Sequence, residues 1–208
     1  MYYVIYPDLL EKLPINWTTY QKYTKFFKKM IYLTDKTNQQ NLSKISFAIK
    51  DKLGIAITIR AYQAKDYNRL IDMYDKFEPK RIAMGLPHSD KKLRDNWIDG
   101  IVKSFFNTVV IYQNKIIGHA AVDIFRNKSS PEYMIFLDKD FRNRGIGTSQ
   151  TMIIKKICEE FGCKQIRVAV SCDNILCVKV FKKAGFKFTG AMGPEREMVL
   201  KIKPKSKK

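Results

Sequence analysis

Residues 141–147 read FRNRGIG. They sit between an apolar run of strand character, EYMIFL (132–137), and an apolar run of helical character, TSQTMIIKKICEEFG. A glycine-rich loop that follows a strand and opens a helix turns successive backbone N–H groups toward the helix entrance, where the helix dipole adds about half a positive charge. Gly145 and Gly147 let an anion approach the main chain closely and accept a positive φ. Arg142 and Arg144 can add charge-assisted hydrogen bonds. Residues of these types in this order suit a pyrophosphate.

Three phosphate-binding patterns compete for this stretch. A Walker loop requires G-K-[ST] at the helix start, and here Gly147 is followed by Thr148 and Ser149 with no lysine. A dinucleotide fingerprint requires G-x-G-x-x-G directly after the strand, whereas Gln150 holds the third glycine position and DKDF lengthens the approach. The remaining pattern, [RQ]-x-x-G-x-[GA], is met in full by Arg142, Gly145 and Gly147.

The elements that must position this loop follow from periodicity. GIAITIRAY (54–62) reads as a strand after a glycine turn. A helix over 64–77 follows, with Leu70, Met73, Tyr74 and Phe77 at helical spacing. After the Pro/Gly-punctuated EPKRIAMGLPHS, a second helix over 90–105 puts Leu93, Trp97, Ile98, Ile101 and Val102 on one face. TVVIYQ and KIIGHAAVDIF form a hairpin about Gln113-Asn114. The helix after the loop buries Ile153, Ile154, Ile157, Cys158 and Phe161 and stops at Gly162. QIRVAV (165–170) is a strand, Asp173 or Asn174 caps a helix ending at Gly185, and FKFTG and EREMVLKI close the fold as paired strands. That order predicts a mixed α/β sheet, not a pure βαβ alternation.

Composition narrows the function classes. At 208 residues, with 45% hydrophobic and 28% charged content, the chain is one domain, or one domain with an extension, and is not wholly disordered. No apolar run is long enough to span a bilayer, and MYYVIYPDLLEKLP lacks the layout of a signal peptide, so no membrane role is expected. The net charge of +19 fits a polyanionic partner such as nucleic acid or a phosphorylated cofactor, and equally a lysine-rich solvated surface. Cys158, Cys163, Cys172 and Cys177 form no C-x-x-C, and His88 and His119 lie far apart, so no metal is expected. Cysteines scattered in apolar segments read as buried thiols of a cytoplasmic protein. Residues 1–50 stand apart as an aromatic and basic N-terminal extension, 55–203 form the domain, and 204–208 are a basic tail. Trp17, Tyr20, Tyr23, Phe26 and Phe27 of the extension can pack on the domain or on a second subunit of a homodimer. They can also stack on nucleotides between Lys22, Lys25, Lys28 and Lys29.

From the loop outward, the chain resembles the GNAT superfamily of acyl-CoA N-acyltransferases over about residues 55–203. EYMIFLDKDFRNRGIG is similar to the family's cofactor strand and pyrophosphate loop. DNILCVKVFKKAGF (173–186) is similar to its later N-x-x-A-x-x-x-Y-x-x-x-G-F segment, matched at Asn174, Gly185 and Phe186. VVIYQNKIIGHAAV is similar to the preceding hairpin. Cys177 replaces the usual Ala and Phe181 the usual Tyr. The resemblance implies a mixed, mainly antiparallel sheet flanked by helices, and transfer of an acetyl group from acetyl-CoA to an amine acceptor, a small cationic amine or a protein lysine or N-terminus. The alternative is a non-catalytic CoA-binding or nucleic-acid-binding module on the same scaffold. It also implies that acetyl-CoA lies along Phe136, Leu137, Asp138 and Lys139, with its pyrophosphate on Arg142, Asn143, Arg144, Gly145, Ile146, Gly147 and Thr148, and with Asn174 and Phe181 beside it. A backbone N–H between Phe136 and Lys139 would polarise the thioester carbonyl.

Transfer to an amine also needs a base, because a lysine-like amine has a pKa of about 10.4 and must lose its proton. The resemblance makes Glu132, at the start of the cofactor strand, a candidate base, the alternative being an exposed strand-end glutamate, and His119 on the neighbouring strand is a second candidate for base or relay, the alternative being a core or surface histidine. The family's usual acid for the departing thiolate is the Tyr that Phe181 replaces. A phenyl ring donates no proton, so Tyr112, Tyr133 or water must serve. Asp66, Asp72, Asp75, Glu78, Asp90, Asp95 and Asp99, on the two early helices and their connection, would form an acidic lip suited to a cationic acceptor, or simply a solvated helix surface.

Overall fold

The computed structural model describes residues 42–80, 87–190 and 193–202. Most of the N-terminal extension, with every residue singled out there for packing or stacking, and the basic tail lie outside the described residues. The elements are β1 (Ser46–Lys50), β2 (Ala56–Ala61), α1 (Tyr67–Lys76), α2 (Lys91–Ser104), β3 (Phe106–Tyr112), β4 (Lys115–Val122), β5 (Tyr133–Leu137), α3 (Ile146–Glu160), β6 (Gln165–Ser171), α4 (Ile175–Ala184), β7 (Lys187–Thr189) and β8 (Glu195–Lys201). An antiparallel sheet in the order β1-β2-β3-β4-β5 stands beside a smaller antiparallel sheet in the order β6-β8-β7. This is the mixed, mainly antiparallel α/β architecture expected.

The sheet starts earlier than expected. SFAIK, assigned to the extension, pairs along its whole length with β2, from Ser46 opposite Arg60 to Lys50 opposite Ala56. Its neighbours Leu42 and Ile45 and its own Phe47 are buried in the core, so the strand is held by side chains as well as by its ladder. The β3–β4 hairpin turns at Gln113 and Asn114 with φ of 45° and 63°, the positive pair that a tight twisted hairpin requires.

Side-chain alternation along the sheet divides the core in two. One face buries Ile57, Ile59, Val110 and Tyr133 against Ile146, Ile153, Ile154 and Ile157 of α3 and Phe181 of α4. The other buries Val109, Ile116 and Phe136 against Leu70, Met73, Tyr74 and Ile98, from α1 and α2, and Phe77 just beyond α1. The face predicted for α2 is rotated: Leu93 is exposed while Arg94 is buried. The Arg94 guanidinium pairs with Asp75 of α1 and donates to the carbonyls of His88 and Ser89. Burying a leucine contributes about 1.5–3 kcal/mol, whereas stripping a buried charge of its partner costs about 3–5 kcal/mol. The arginine therefore sets the phase of the helix.

Cys158 and Cys163 are buried, as expected, but Cys172 is exposed in the turn after β6, where the chain leaves the sheet. Among the described residues, no helix is long and apolar enough to cross a membrane, and no group of three or more His, Cys, Asp or Glu side chains is placed to hold a metal ion.

Candidate functional site: the wedge between β5 and β6

The two sheets meet at the foot of β5. Arg167 N–H donates to the Pro131 carbonyl at 2.9 Å, and Glu132 forms an isolated parallel bridge with Arg167. Beyond that bridge the strands part. On its other edge β5 bonds β4: Asp123 N–H donates to Glu132 C=O at 2.9 Å, and Asp138 N–H to Ile117 C=O at 2.8 Å. An antiparallel ladder alternates the direction of backbone groups, so the even-numbered residues of β5 turn theirs to β4. Ile135 and Leu137 turn theirs into the wedge. Of the positions expected to offer a carbonyl-polarising N–H, Phe136 and Asp138 are thus committed to the ladder, and Leu137 faces the opening. Ile135, which was not among those positions, faces it too, because strand parity is set by pairing partners that the sequence does not display.

The glycine loop closes the top of the wedge. Asp138 accepts the Asp140 N–H at 2.9 Å and starts a single 3₁₀ turn over Lys139–Phe141, with Lys139 exposed. Asn143 and Gly145 then take left-handed conformations, φ 62° and 84°. Among the described residues no side chain caps α3, and the Ser149 N–H bonds Gly145 C=O at 3.0 Å. The N–H groups of Ile146, Gly147 and Thr148 therefore point out of the first turn, although the Ile146 side chain is wholly buried. A Cβ built on Gly147 would come no closer than 3.6 Å to Val180 and 3.8 Å to Ile135. The protein itself thus has room for a Cβ at Gly147, at the entrance of the helix.

The two arginines differ from expectation. Arg142 donates Nε–H to the Leu137 carbonyl at 3.0 Å and Nη2–H to the Glu78 carbonyl, and its guanidinium lies over Phe77. Arg144 donates to the Asp140 carbonyl at 2.7 Å, sits 3.6 Å from Asp51 and covers the ring of Phe141. Both brace the loop.

The candidate proton carriers separate clearly. Glu132 is exposed at the foot of the wedge, on the same side of β5 as Met134 and Phe136. His119 is wholly buried and fully bonded. Asn107 gives its Nδ2–H groups to the carbonyls of Ile101 and Phe105, so its Oδ1 accepts His119 Nε2–H at 3.0 Å, and Tyr74 O–H donates to Nδ1 at 2.7 Å. Burial lowers the imidazole pKa to about 3. A neutral ring with both nitrogens occupied is a core polar group and has no free site for an acceptor's proton.

Phe181 is buried and its ring meets Tyr133 edge-on at 6.0 Å. Thr151 donates its hydroxyl to Gly147 C=O, so the buried Tyr133 O–H is given to Thr151 Oγ1 at 3.0 Å, and burial pushes that phenol far up. Tyr112 packs at a tilt against Phe141, ring centroids 5.3 Å apart. Asn174 accepts the Cys177 N–H at 3.2 Å and is the cap of α4, which settles the choice with Asp173.

The acidic lip is largely spent, apart from Asp72, which is exposed and has no ion pair among the described residues. Asp66 is buried; burial works against its charge, but hydrogen bonds from Arg60, the Gln63 N–H and Arg69 hold it below the usual carboxylate range. Asp75 pairs with Arg94 and Lys91, Asp95 with Lys91 and Glu78 with Lys80, while Asp90 caps α2 and Asp99 accepts the Tyr67 hydroxyl at 2.6 Å. These carboxylates chiefly hold α1 and α2 to each other and to the sheet.

A parted strand pair roofed by a glycine loop at an open helix end makes a cleft suited to an anion. Residues 67–186 match the model of the acetyltransferase (GNAT) family, and the chain belongs to that family. An L-amino acid N-acetyltransferase of Escherichia coli (strain K12) is 25% identical over 141 residues, 64% of this chain and 85% of that protein. A spermine/spermidine N(1)-acetyltransferase of Bacillus subtilis (strain 168) is 24% identical over 97 residues, 43% of this chain and 64% of that one. Among solved structures, the GNAT domain of S. lividans PAT has a TM-score of 0.63 at 14% identity, covering 76% of this chain and 97% of its own. A GNAT phosphinothricin acetyltransferase from Sinorhizobium meliloti, in complex with AcCoA, has a TM-score of 0.57 at 18% identity, covering 70% and 88%.

Proposed function

We propose that the chain transfers the acetyl group of acetyl-CoA to a primary amine. The observation that carries this reading is the wedge itself: backbone donors of Ile135 and Leu137 on one wall, and an uncapped helix end with glycine at its second residue above it. Acetyl-CoA supplies an activated acyl thioester. The main chain of Ile146, Gly147 and Thr148 would hold its pyrophosphate, favoured by the helix dipole. The Leu137 N–H would bond the pantetheine arm, its carbonyl being engaged by Arg142, and the Ile135 N–H would hold the thioester oxygen, where a fixed donor helps most as charge develops.

The amine approaches from the α1/α2 side of β5. Glu132 is the group we assign as base. It stands three residues from Ile135, about 10 Å along the strand, so the proton passes through water. Beside Phe181 the Tyr133 hydroxyl is buried and committed to Thr151, and the Cys177 thiol, one turn earlier on α4, is a poor proton donor because burial pushes its pKa up to about 12. The thiolate therefore leaves through solvent. With the carboxylates of α1 and α2 mostly paired, the acceptor class is a primary amine without a built cationic trap.

The test is release of free thiol from acetyl-CoA with a panel of amines: amino acids, polyamines and lysine or N-terminal peptides. Amine-dependent thiol release, with an acetylated product of matching mass, is expected. CoA binding with no transfer to any amine would leave a non-catalytic CoA-binding module in its place.

A further inference from the structure

The turn between β1 and β2 lies outside the 67–186 family match, yet it is fastened to the glycine loop. Asp51 is buried; its Oδ1 accepts the N–H groups of Leu53 and Ile55, each at 2.9 Å, and its Oδ2 lies 3.6 Å from Arg144 Nη1. The Lys52 N–H donates to the Arg144 carbonyl at 3.0 Å. These contacts fix where the Lys52 side chain must start. Its stem then runs along Gly145: a Cβ built there would lie 3.5 Å from Lys52 Cγ and 3.7 Å from Cε. Gly145 is the N-cap of α3, one residue before the open N–H groups. Lys52 is exposed, and among the described residues its ammonium has no hydrogen bond or ion pair. Meanwhile Arg142 and Arg144, the loop's own cations, are occupied with carbonyls.

We infer that Lys52 is a cofactor-binding residue that supplies the side-chain charge at this site, its ammonium pairing with the pyrophosphate of CoA held on the first turn of α3. The inference rests on the acetyl-CoA reading above. The physical logic is a division of labour. A left-handed Gly145 leaves a flat surface for an aliphatic stem, the stem carries a mobile charge to the rim of the cradle, and the arginines shape the cradle. A flexible lysine suits this position because a point charge can follow a phosphate without demanding the planar geometry of a guanidinium.

The experiment is calorimetric titration of the full chain with CoA and with dephospho-CoA, which lacks the 3′-phosphate, at low and moderate salt. Lys52→Ala should weaken binding about 3- to 10-fold at low salt, by the same factor for both ligands, with the penalty shrinking as salt rises. Lys52→Glu should weaken it further, and Lys52→Arg should restore much of it. Lys164→Ala, the same change of charge beyond the far end of α3, roughly 22 Å of helix away, should leave affinity unchanged. Thermal melts must show the Lys52 variants folded, as expected for an exposed side chain on a turn held by Asp51. Equal affinity of Lys52→Ala and the parent chain would overturn the inference and leave the acetyl-CoA reading standing. So would a penalty seen with CoA but absent with dephospho-CoA, which would assign Lys52 to the 3′-phosphate. A parent chain that binds neither ligand would instead sink the acetyl-CoA reading, and this inference with it.

Discussion

The two sides of β5 are built on different principles. On the α3/α4 side the site is made of main chain: parted strand edges, an uncapped helix end and glycines that keep side chains away. On the α1/α2 side it is made of side chains that already satisfy one another, Tyr74 with His119, His119 with Asn107, Asp75 with Arg94, and Asp66 with Arg60 and Arg69. The first side has unmet donors and invites a ligand. The second is closed, and its polar groups give rigidity to the wall against which an acceptor would lie. Buried polar residues on one face of a strand thus need not share the role of those on the other, even at adjacent positions.

The sharpest way to break this contrast is Gly147→Asp. The protein has room for the Cβ, so the fold should survive, while a carboxylate in the phosphate cradle should abolish the heat of CoA titration. Unchanged affinity in a folded variant would move the cofactor elsewhere. Next in size is Glu132→Gln, which should lower kcat by about 10²-fold, the lower range for a positioned base acting through water, with CoA affinity intact. Normal turnover across the pH range would make Glu132 a strand-end residue that serves the bridge to β6.

The closed side predicts effects on stability. Tyr74→Phe leaves a buried lone pair on His119 without a donor and should cost about 1–3 kcal/mol in urea melts. His119 also makes a signed pH prediction. Its folded pKa, about 3, lies below the ordinary value of 6.5, so the unfolded chain binds the proton more readily. The stability that the neutral ring contributes is whole above pH 6.5 and is lost as pH falls toward 3, by about 1.4 kcal/mol per unit. Between pH 6.5 and 5 the parent chain should therefore lose about 2 kcal/mol more than His119→Gln. Parallel slopes would show an imidazole in contact with solvent and would reopen its candidacy as a relay. The smallest expected effect is that of Phe181→Tyr. With thiolate leaving through water, kcat should stay within about 2-fold, far less than the 10²-fold gain that a newly placed acid can bring. A gain of that size would show that departure is starved of a proton.

The sequence by itself determined the order of elements from β2 onward and the glycine loop at a helix entrance, since both are written in contiguous residues: apolar periodicity in YNRLIDMYDK and IGTSQTMIIKKICEE, and glycine spacing in FRNRGIG. It also carried the departure at Phe181, a single residue read against a local pattern. Only the tertiary structure decided what depends on partners distant in the chain. The parity that turns Ile135 and Leu137 into the wedge comes from pairing β5 with β4 and parting it from β6. His119 looks like a base in sequence and becomes a core group because Tyr74 and Asn107 occupy both nitrogens. Part of the acidic lip is used up once α1 meets α2, Asp75 pairing with Arg94 and Lys91 and Asp99 accepting the Tyr67 hydroxyl. Lys52 reaches the loop through a turn some ninety residues upstream. The physical reason is common to all of these: a local pattern fixes which backbone groups and faces exist, whereas charge, protonation and hydrogen-bond capacity are set by whichever distant groups folding brings within about 3 Å.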